Sequence, residues 1–480
     1  MKHILYIYSI AAIILLAACS GFLEEFPNDQ AYITNTGDLN ELLVGDGYMS
    51  ATTGSDIDYW IHVMDDDAFF TTYNSNRPAH IAFHWWQPDV NTQSTWEAFY
   101  KHIGVLNAIL DEVERFAGEE GDGYRKVKGE ALFLRAVYYY YLVNLYARPY
   151  SETTAATDPG VPLKLTSTIE DKRFSRASVE TCYRSITSDL NESIRHLKGL
   201  VPLTNYRGGE MAARALLSRV ALYTSDWETA RVQCDTILAR GNYRLVDHNT
   251  LGPVASSNTV AFNSTETIFT SGAATTSNMD FSYINATKFM PSSELLALFA
   301  ANDLRRTYYV RGSSLPGYQM IQKYASRVVA LCSDIFIIRL PEIYLNRAEA
   351  LLMLDRAAEA IVDVQVLRAN RLSSPPDALS PGGEALMNFI RDERRREFCF
   401  EGQRWFDLRR YAVYPKWSLQ REIRHVYYDY ADITGDLVLK PYDEDARYYV
   451  LPIPDSEINL NSGTLEQNPA REWKEPVSHL

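Results

Sequence analysis

Asp65, Asp66 and Asp67 stand in a row, and paired carboxylates are the commonest equipment for cutting a glycosidic bond. Such a cut needs two acids about 5 to 9 Å apart on either side of the bond. Neighbouring residues point different ways, and no second acid is assigned by the sequence, so the run fits acceptors of ligand hydrogen bonds or helix caps better. His80 and His84 are four apart and could share a helix face as a metal pair. Ile81, Phe83 and Trp85 alternate as in a strand, however, and no carboxylate motif accompanies them, so no metal is expected. GxSxG, HExxH, P-loop and dinucleotide fingerprints are absent, and neither catalytic residues nor a cofactor are expected.

The charged run from 391 to 410 could be taken for an anion site. Its signs alternate, with Asp392 four residues before Arg396 and Glu401 three before Arg404, so pairing along a helix predicts a structural ion lattice that includes Arg394 and Glu397. Aromatic side chains offer another chemistry. The chain has 32 Tyr, 19 Phe and 8 Trp, and flat rings with a polar edge suit sugar and peptide faces. Trp60, Tyr73 and Trp86 lie with Asp66 and Asp67 in one loop-rich stretch. These five are the expected ligand-binding residues: rings as a platform, carboxylates orienting polar groups. Tyr283, Tyr308 and Tyr309 form the alternative cluster.

Helical periodicity supplies the scaffold that must hold these loops. Apolar stripes with spacings of three and four run from Trp96 to about Ala117 and on to Tyr146, where Pro149 stops them. They recur at about 178–197, 209–224, 226–240, 334–354, 356–371 and 383–411, with Asp226 as an N-cap. Ala212, Ala213, Ala215, Ala221, Ala348, Ala350, Ala357, Ala358 and Ala360 sit where paired helices approach, as in degenerate tetratricopeptide-like hairpins. The predicted class is therefore mainly α, with a second, irregular half containing short strands. Residues 96–147, 178–240 and 334–411 are helical; 46–95, 241–333 and 412–450 are variable ligand-holding segments of one unit, 46–480.

The N-terminal end reads as a secretory signal over residues 1–18: Lys2 and His3, then an apolar run to Ala18 shorter than the roughly 20 residues of a membrane span. Leu16-Ala17-Ala18-Cys19 resembles a bacterial lipobox, which makes Cys19 the lipidation site and 19–45 a tail carrying the anchor. A net charge of −14 argues against nucleic acid. Cys182, Cys234, Cys332 and Cys399 lack tight spacing and read as small buried apolar residues.

Several blocks in order resemble the SusD/RagB family of surface lipoproteins. Phe22-Leu23-Glu24 follows the lipobox; Glu130-Ala131-Leu132-Phe133-Leu134-Arg135-Ala136 leads into a Tyr-rich helix; and Pro291-Ser292-Ser293-Glu294 precedes Asp303-Leu304-Arg305-Arg306. Arg339-Leu340-Pro341-Glu342 comes next, then Arg391-Asp392-Glu393-Arg394-Arg395-Arg396-Glu397 with Phe400-Glu401-Gly402-Gln403-Arg404-Trp405, and finally Leu451-Pro452-Ile453-Pro454. Gln403 stands where the family usually has His, and Ala470 where it has Gly. The resemblance places Trp85 in the core. It implies a tetratricopeptide-type half facing a SusC-like TonB-dependent transporter and a variable half holding the ligand. The expected protein is lipid-anchored at the outer membrane and exposed on the cell surface. It captures an oligosaccharide and passes it on without chemistry. A surface glycoside hydrolase and an oligopeptide-binding protein are the alternatives.

Overall fold

The periodic segments fold as helices, and the residues at their ends show why each one stops. The computed structural model describes residues 33–49, 57, 59–72, 80–253, 259–272, 287–312, 319–323, 332–429 and 432–478. The long helices are α1 (Gln93–Val113), α2 (Gly123–Tyr146), α3 (Val179–Leu197), α4 (Glu210–Tyr223) and α5 (Trp227–Arg240). They continue as α6 (Leu340–Met353), α7 (Ala357–Ala369), α8 (Gly383–Phe398) and α9 (Arg404–Ala412).

Helix α2 is the axis. Every side chain from Gly129 to Tyr146 is buried, because α1 and α3 flank it. Gly129 permits the approach of α3: a Cβ there would lie 2.5 Å from Leu197 Cγ. Four consecutive tyrosines can be buried because each hydroxyl finds a partner. Tyr138 donates to Gly47 O and Tyr139 to Lys164 O, both at 2.7 Å, Tyr141 donates to Ile335 O at 2.8 Å, and Tyr140 meets the Tyr223 hydroxyl at 3.0 Å.

Two hairpins close with the same turn. Between α4 and α5, Ser225 takes φ 60° and Asp226 N donates to Ala221 O at 2.8 Å; between α6 and α7, Asp355 takes φ 61° and Arg356 N donates to Leu351 O at 2.8 Å. Asp226 then caps α5 by accepting from Thr229 N at 3.1 Å. Helix α6 packs on α5, so the two hairpins stack, as the alanine pattern predicts. Ala348, Ala350 and Ala360 are buried in these contacts, whereas Ala358 faces solvent.

The remainder is held by short antiparallel pairs. The strands are β1 (Ala68–Thr72), β2 (Thr267–Thr270), β3 (Thr287–Pro291), β4 (Val310–Gly312), β5 (Gln319–Ile321), β6 (Ile337–Arg339), β7 (Ile423–Asp429) and β8 (Asp432–Leu439). They pair as β1 with β3, β2 with β6, β4 with β5 and β7 with β8. Ala68 lies opposite Pro291, and Asp436 of β8 bridges to Val477 near the C-terminus.

Two local expectations are corrected. The segment 383–411 is not one helix: it breaks between α8 and α9, where Phe400 and Gly402 take φ of 56° and 67°. A Cβ on Gly402 would also press on Ile335 O at 3.2 Å. The alternating residues at 80–86 form a helical turn, Ile81–His84, rather than a strand, because both faces are covered and alternation carries no information there. Cys182, Cys234, Cys332 and Cys399 are buried free thiols, and burial pushes the last three up to about 12. Among the described residues no helix is long and apolar enough to cross a membrane.

Candidate functional site

The aspartate run precedes β1, and its three members have different fates. Asp66 receives Arg404 from α9 on both oxygens, Nε at 2.7 Å and a terminal nitrogen at 2.9 Å. Arg395 of α8 approaches it to 3.3 Å. Arg421 Nε lies 2.9 Å away at an angle that makes an ion pair rather than a hydrogen bond. Asp67 accepts from Arg395 Nε at 2.7 Å, and Asp65 accepts from Asp67 N at 2.9 Å. Burial raises the pKa of Asp66, but Arg404, then Arg395 and Arg421, outweigh it and hold the carboxyl far below its ordinary value. Burial, reinforced by Asp67 and Asp66, pushes Asp65 well above its ordinary value. The three carboxylates come within 4.8 Å of one another, the spacing of a metal site, yet the positive charge beside them is already supplied by arginine.

Asp66 also forms the floor of a cleft of about 440 Å³. Phe69 of β1 and Ser292, Ser293 and Glu294 line it together with the segment from Arg421 to Val426, which enters β7, and Asp436 from β8. The start of the short helix Ser293–Ala297 is fixed to the aspartate run: Ser292 N donates to Asp67 O at 2.7 Å and Ser292 Oγ to Asp66 O at 2.8 Å. Arg421, partly exposed, links the buried Asp66 to Glu294 at the rim. Arg424 pairs with Glu422 at 2.7 Å and faces Asp436 at 3.8 Å. The cleft can thus offer paired acceptors and donors to a polar ligand beside the apolar edge of Phe69.

A ring stack borders the cleft, with His84 and His425 both on its lining. His84 and His425 stack at 3.7 Å with planes 8° apart, and Trp86 covers the other face of His425 at 4.3 Å. His84 Nδ1 meets Val63 O at 2.7 Å, and His425 Nε2 meets Asp65 O at 2.9 Å. Burial, then the neighbouring His425, holds His84 well below its ordinary 6.5. Burial takes His425 down to about 4 against the pull of the His84 and Asp65 carbonyls.

The expected platform of exposed rings is corrected by this packing. Trp86 is fully buried, with Nε1 donating to Met64 O at 2.9 Å, and Trp60 is buried and stacked on Phe83 at 4.7 Å. These two rings reach the core because residues 60–71 themselves fold inward, Phe69 alone being half-buried. Asp67 is likewise enclosed, leaving Asp66 as the expected residue that borders the cleft. Tyr73, Tyr283 and Cys19 lie outside the described residues. Tyr309 is buried with its hydroxyl 3.3 Å from Glu397, and Tyr308 is half-buried with its hydroxyl at Leu251 O. Trp85 is in the core as expected, its Nε1 on Val426 O at 3.3 Å. His80 and His84 do not form a metal pair: His84 is turned into the stack. Arg421, Glu294 and Arg424 carry no local signal in the sequence, since each is a charged residue on a surface segment until its partners are known.

The charged run is a lattice, as expected, but most of its bonds run across the fold, with pairs such as Arg396–Glu393 and Arg410–Asp407 lying along a helix. Glu397 takes Arg371, Arg339 and Arg305 at 3.0 to 3.1 Å. Glu401 takes Lys323 and Arg339, both at 2.5 Å, not Arg404. Arg396 pairs with Glu393 at 2.6 Å, and Asp392 is exposed. Arg394 meets Asp407 at 3.2 Å and Asn346 Oδ1 at 2.7 Å. These bonds tie α8 and its C-terminal turn to Arg339 of β6 and to Lys323 just past β5, and those of Arg395 and Arg404 tie α8 and α9 to the aspartate run that borders the cleft.

Stacked helical hairpins with a polar cleft built on short strand pairs define a scaffold for binding, and sequence comparisons place it. Residues 262–473 match the family model described as the SusD family, and residues 22–222 match the one described as "Starch-binding associating with outer membrane". The chain belongs to the SusD-like family. It is 22% identical over 443 residues to SusD-like protein P25 of Formosa agariphila, covering 79% of each chain. A SusD superfamily protein from Bacteroides thetaiotaomicron matches with a TM-score of 0.75 at 21% identity, over 91% of this chain and all of that one. A SusD-like carbohydrate binding protein from Bacteroides vulgatus matches with a TM-score of 0.69 at 22% identity, over 90% and 98%.

Proposed function

We propose that the protein is a nutrient-binding lipoprotein of the outer membrane. It captures an oligosaccharide at the cell surface and passes it to a partner TonB-dependent transporter. The observation that carries the reading is the pair of SusD-like matches along most of the chain, one of them described as starch-binding and associated with the outer membrane. A solved structure of the same fold, described as a carbohydrate binding protein, supports the ligand class. The cleft above Asp66 is the assigned contact surface, with Phe69 giving an apolar edge and Arg421, Glu294 and Arg424 giving polar contacts. Cys19 is the assigned anchor, and the helical-hairpin half is the assigned face for the transporter. No step of bond cleavage is part of the proposal.

The test is to incubate the purified protein with oligosaccharides while following both heat of binding and release of new reducing ends. Binding without product supports the reading. Time-dependent cleavage, or no binding to any glycan, overturns it.

A further inference from the structure

The cleft's ionic groups are all matched inside the protein. Arg421 stands against Asp66 and Glu294, and Arg424 against Glu422 and Asp436, so each of these six side chains has an opposite charge within 3.8 Å. Arg395 and Arg404 hold Asp66 from behind, and Arg395 also lies 3.7 Å from Glu294. A formally charged ligand group has no vacant counter-charge there. A ligand carboxylate or sulfate would have to take Arg421 from Glu294 or Arg424 from Glu422, stranding an acid beside its own negative charge. An ammonium group would do the reverse to a guanidinium. A hydroxyl meets no such conflict: its hydrogen donates to a carboxylate while its oxygen accepts from the paired guanidinium, and both ion pairs survive.

We propose that the cleft selects an uncharged polyol, a neutral oligosaccharide, over uronate-bearing or sulfated glycans and over peptide termini. Glu294 and Arg421 read its hydroxyls at the rim. This rests on the glycan-binding reading above and narrows it. The two residues suit the task because they join the rigid floor to solvent: Asp66 is buried, Arg421 is partly exposed and Glu294 is about half exposed at 53%. Of the three arginines on Asp66, Arg421 is the one with substantial access to solvent, at 29% against 2% and 8% for Arg395 and Arg404.

The experiment titrates the full-length mature chain, by calorimetry, with neutral hexasaccharides of glucose, xylose, mannose and galactose and with oligogalacturonate. The parent should bind at least one neutral ligand, with an affinity that moves less than about twofold between roughly 50 and 300 mM salt, because no net charge is exchanged. Oligogalacturonate should bind at least about tenfold more weakly. Glu294→Gln frees part of the Arg421 charge, so it should weaken the neutral ligand by about fivefold and narrow the gap to oligogalacturonate. Its melting curve controls for folding. Tighter binding of oligogalacturonate by the parent, or a folded Glu294→Gln variant with both affinities unchanged, overturns the proposal and leaves the glycan reading standing. If the parent binds no glycan, both fall together.

Discussion

Arg404 grips both oxygens of Asp66, at 2.7 and 2.9 Å, across 338 residues of sequence. The contact joins α9, at the end of the helical scaffold, to the segment that enters β1 and floors the cleft. Removing the guanidinium takes the two-oxygen partner from a buried carboxylate and leaves only Arg395 and Arg421 beside it, a change that costs up to about 3 to 5 kcal/mol. Arg404→Ala should therefore unfold at markedly lower denaturant concentration. Arg404→Lys should recover little, because a single ammonium cannot span both oxygens. Chemical denaturation of the two variants checks this, and a parent-like midpoint for Arg404→Ala would show that Arg395 and Arg421 suffice.

Trp86 is a matter of stability rather than of a ligand platform. Trp86→Ala opens a cavity beside the His84 and His425 stack, and a buried Trp to Ala change costs about 3 to 5 kcal/mol. The melting temperature should fall steeply. In whatever fraction stays folded, ligand affinity should fall less than it does in variants of the cleft rim. Loss of binding at an unchanged melting temperature would restore Trp86 to the site.

Acid should weaken the fold before the carboxylates titrate. His84 and His425 are neutral in the native state, with pKa values held below their ordinary 6.5, to about 4 for His425. Once unfolded they take up protons at their ordinary value, so between these limits the unfolded chain binds more protons and stability falls as pH falls. Their contribution is fully present above 6.5. Buried His248, held down to about 2, acts in the same sense, while Asp65, pushed well above its ordinary value by burial, opposes them. Denaturation at several pH values between neutrality and mild acid should show the decline. In His84→Phe the slope should be shallower by up to about 1.4 kcal/mol per pH unit, one proton's worth. An identical slope would mean that His84 does not titrate as its burial requires.

Anchoring makes a separate prediction. With Cys19→Ala the chain should leave the membrane fraction and lose its acyl label, because the lipid chains supply the affinity, at about 0.8 kcal/mol per buried CH₂. Fractionation with palmitate labelling reads the outcome, and a labelled, membrane-bound variant would refute the lipobox.

The sequence carried the helices well and the cleft poorly, for physical reasons visible in particular residues. Spacings of three and four mark α1 and α3 because these helices bury one stripe, and the αL turns at Ser225 and Asp355 fall where the apolar pattern pauses. Alternating charge at 391–410 announces a lattice but not its partners, because Glu397 bonds to Arg305, Arg339 and Arg371, set by the fold and not by helical spacing. Trp60 and Trp86 look like loop residues because no helical periodicity marks the stretches that carry them, yet residues 60–68 and 83–87 are buried throughout. Glu294 and Arg421 are 127 residues apart and meet only in the folded chain.

The most direct test of the cleft as the binding site uses Ser293, an exposed residue on its wall. Ser293→Trp places a large ring in the cleft without disturbing the buried lattice, so its melting temperature should match the parent's. The measurement is a calorimetric titration of parent and variant with the neutral oligosaccharide that the parent binds. The parent should bind, with a dissociation constant near about 1 μM, or −8 kcal/mol, and the folded variant should show no measurable binding. A folded Ser293→Trp protein that binds the sugar as the parent does would contradict it.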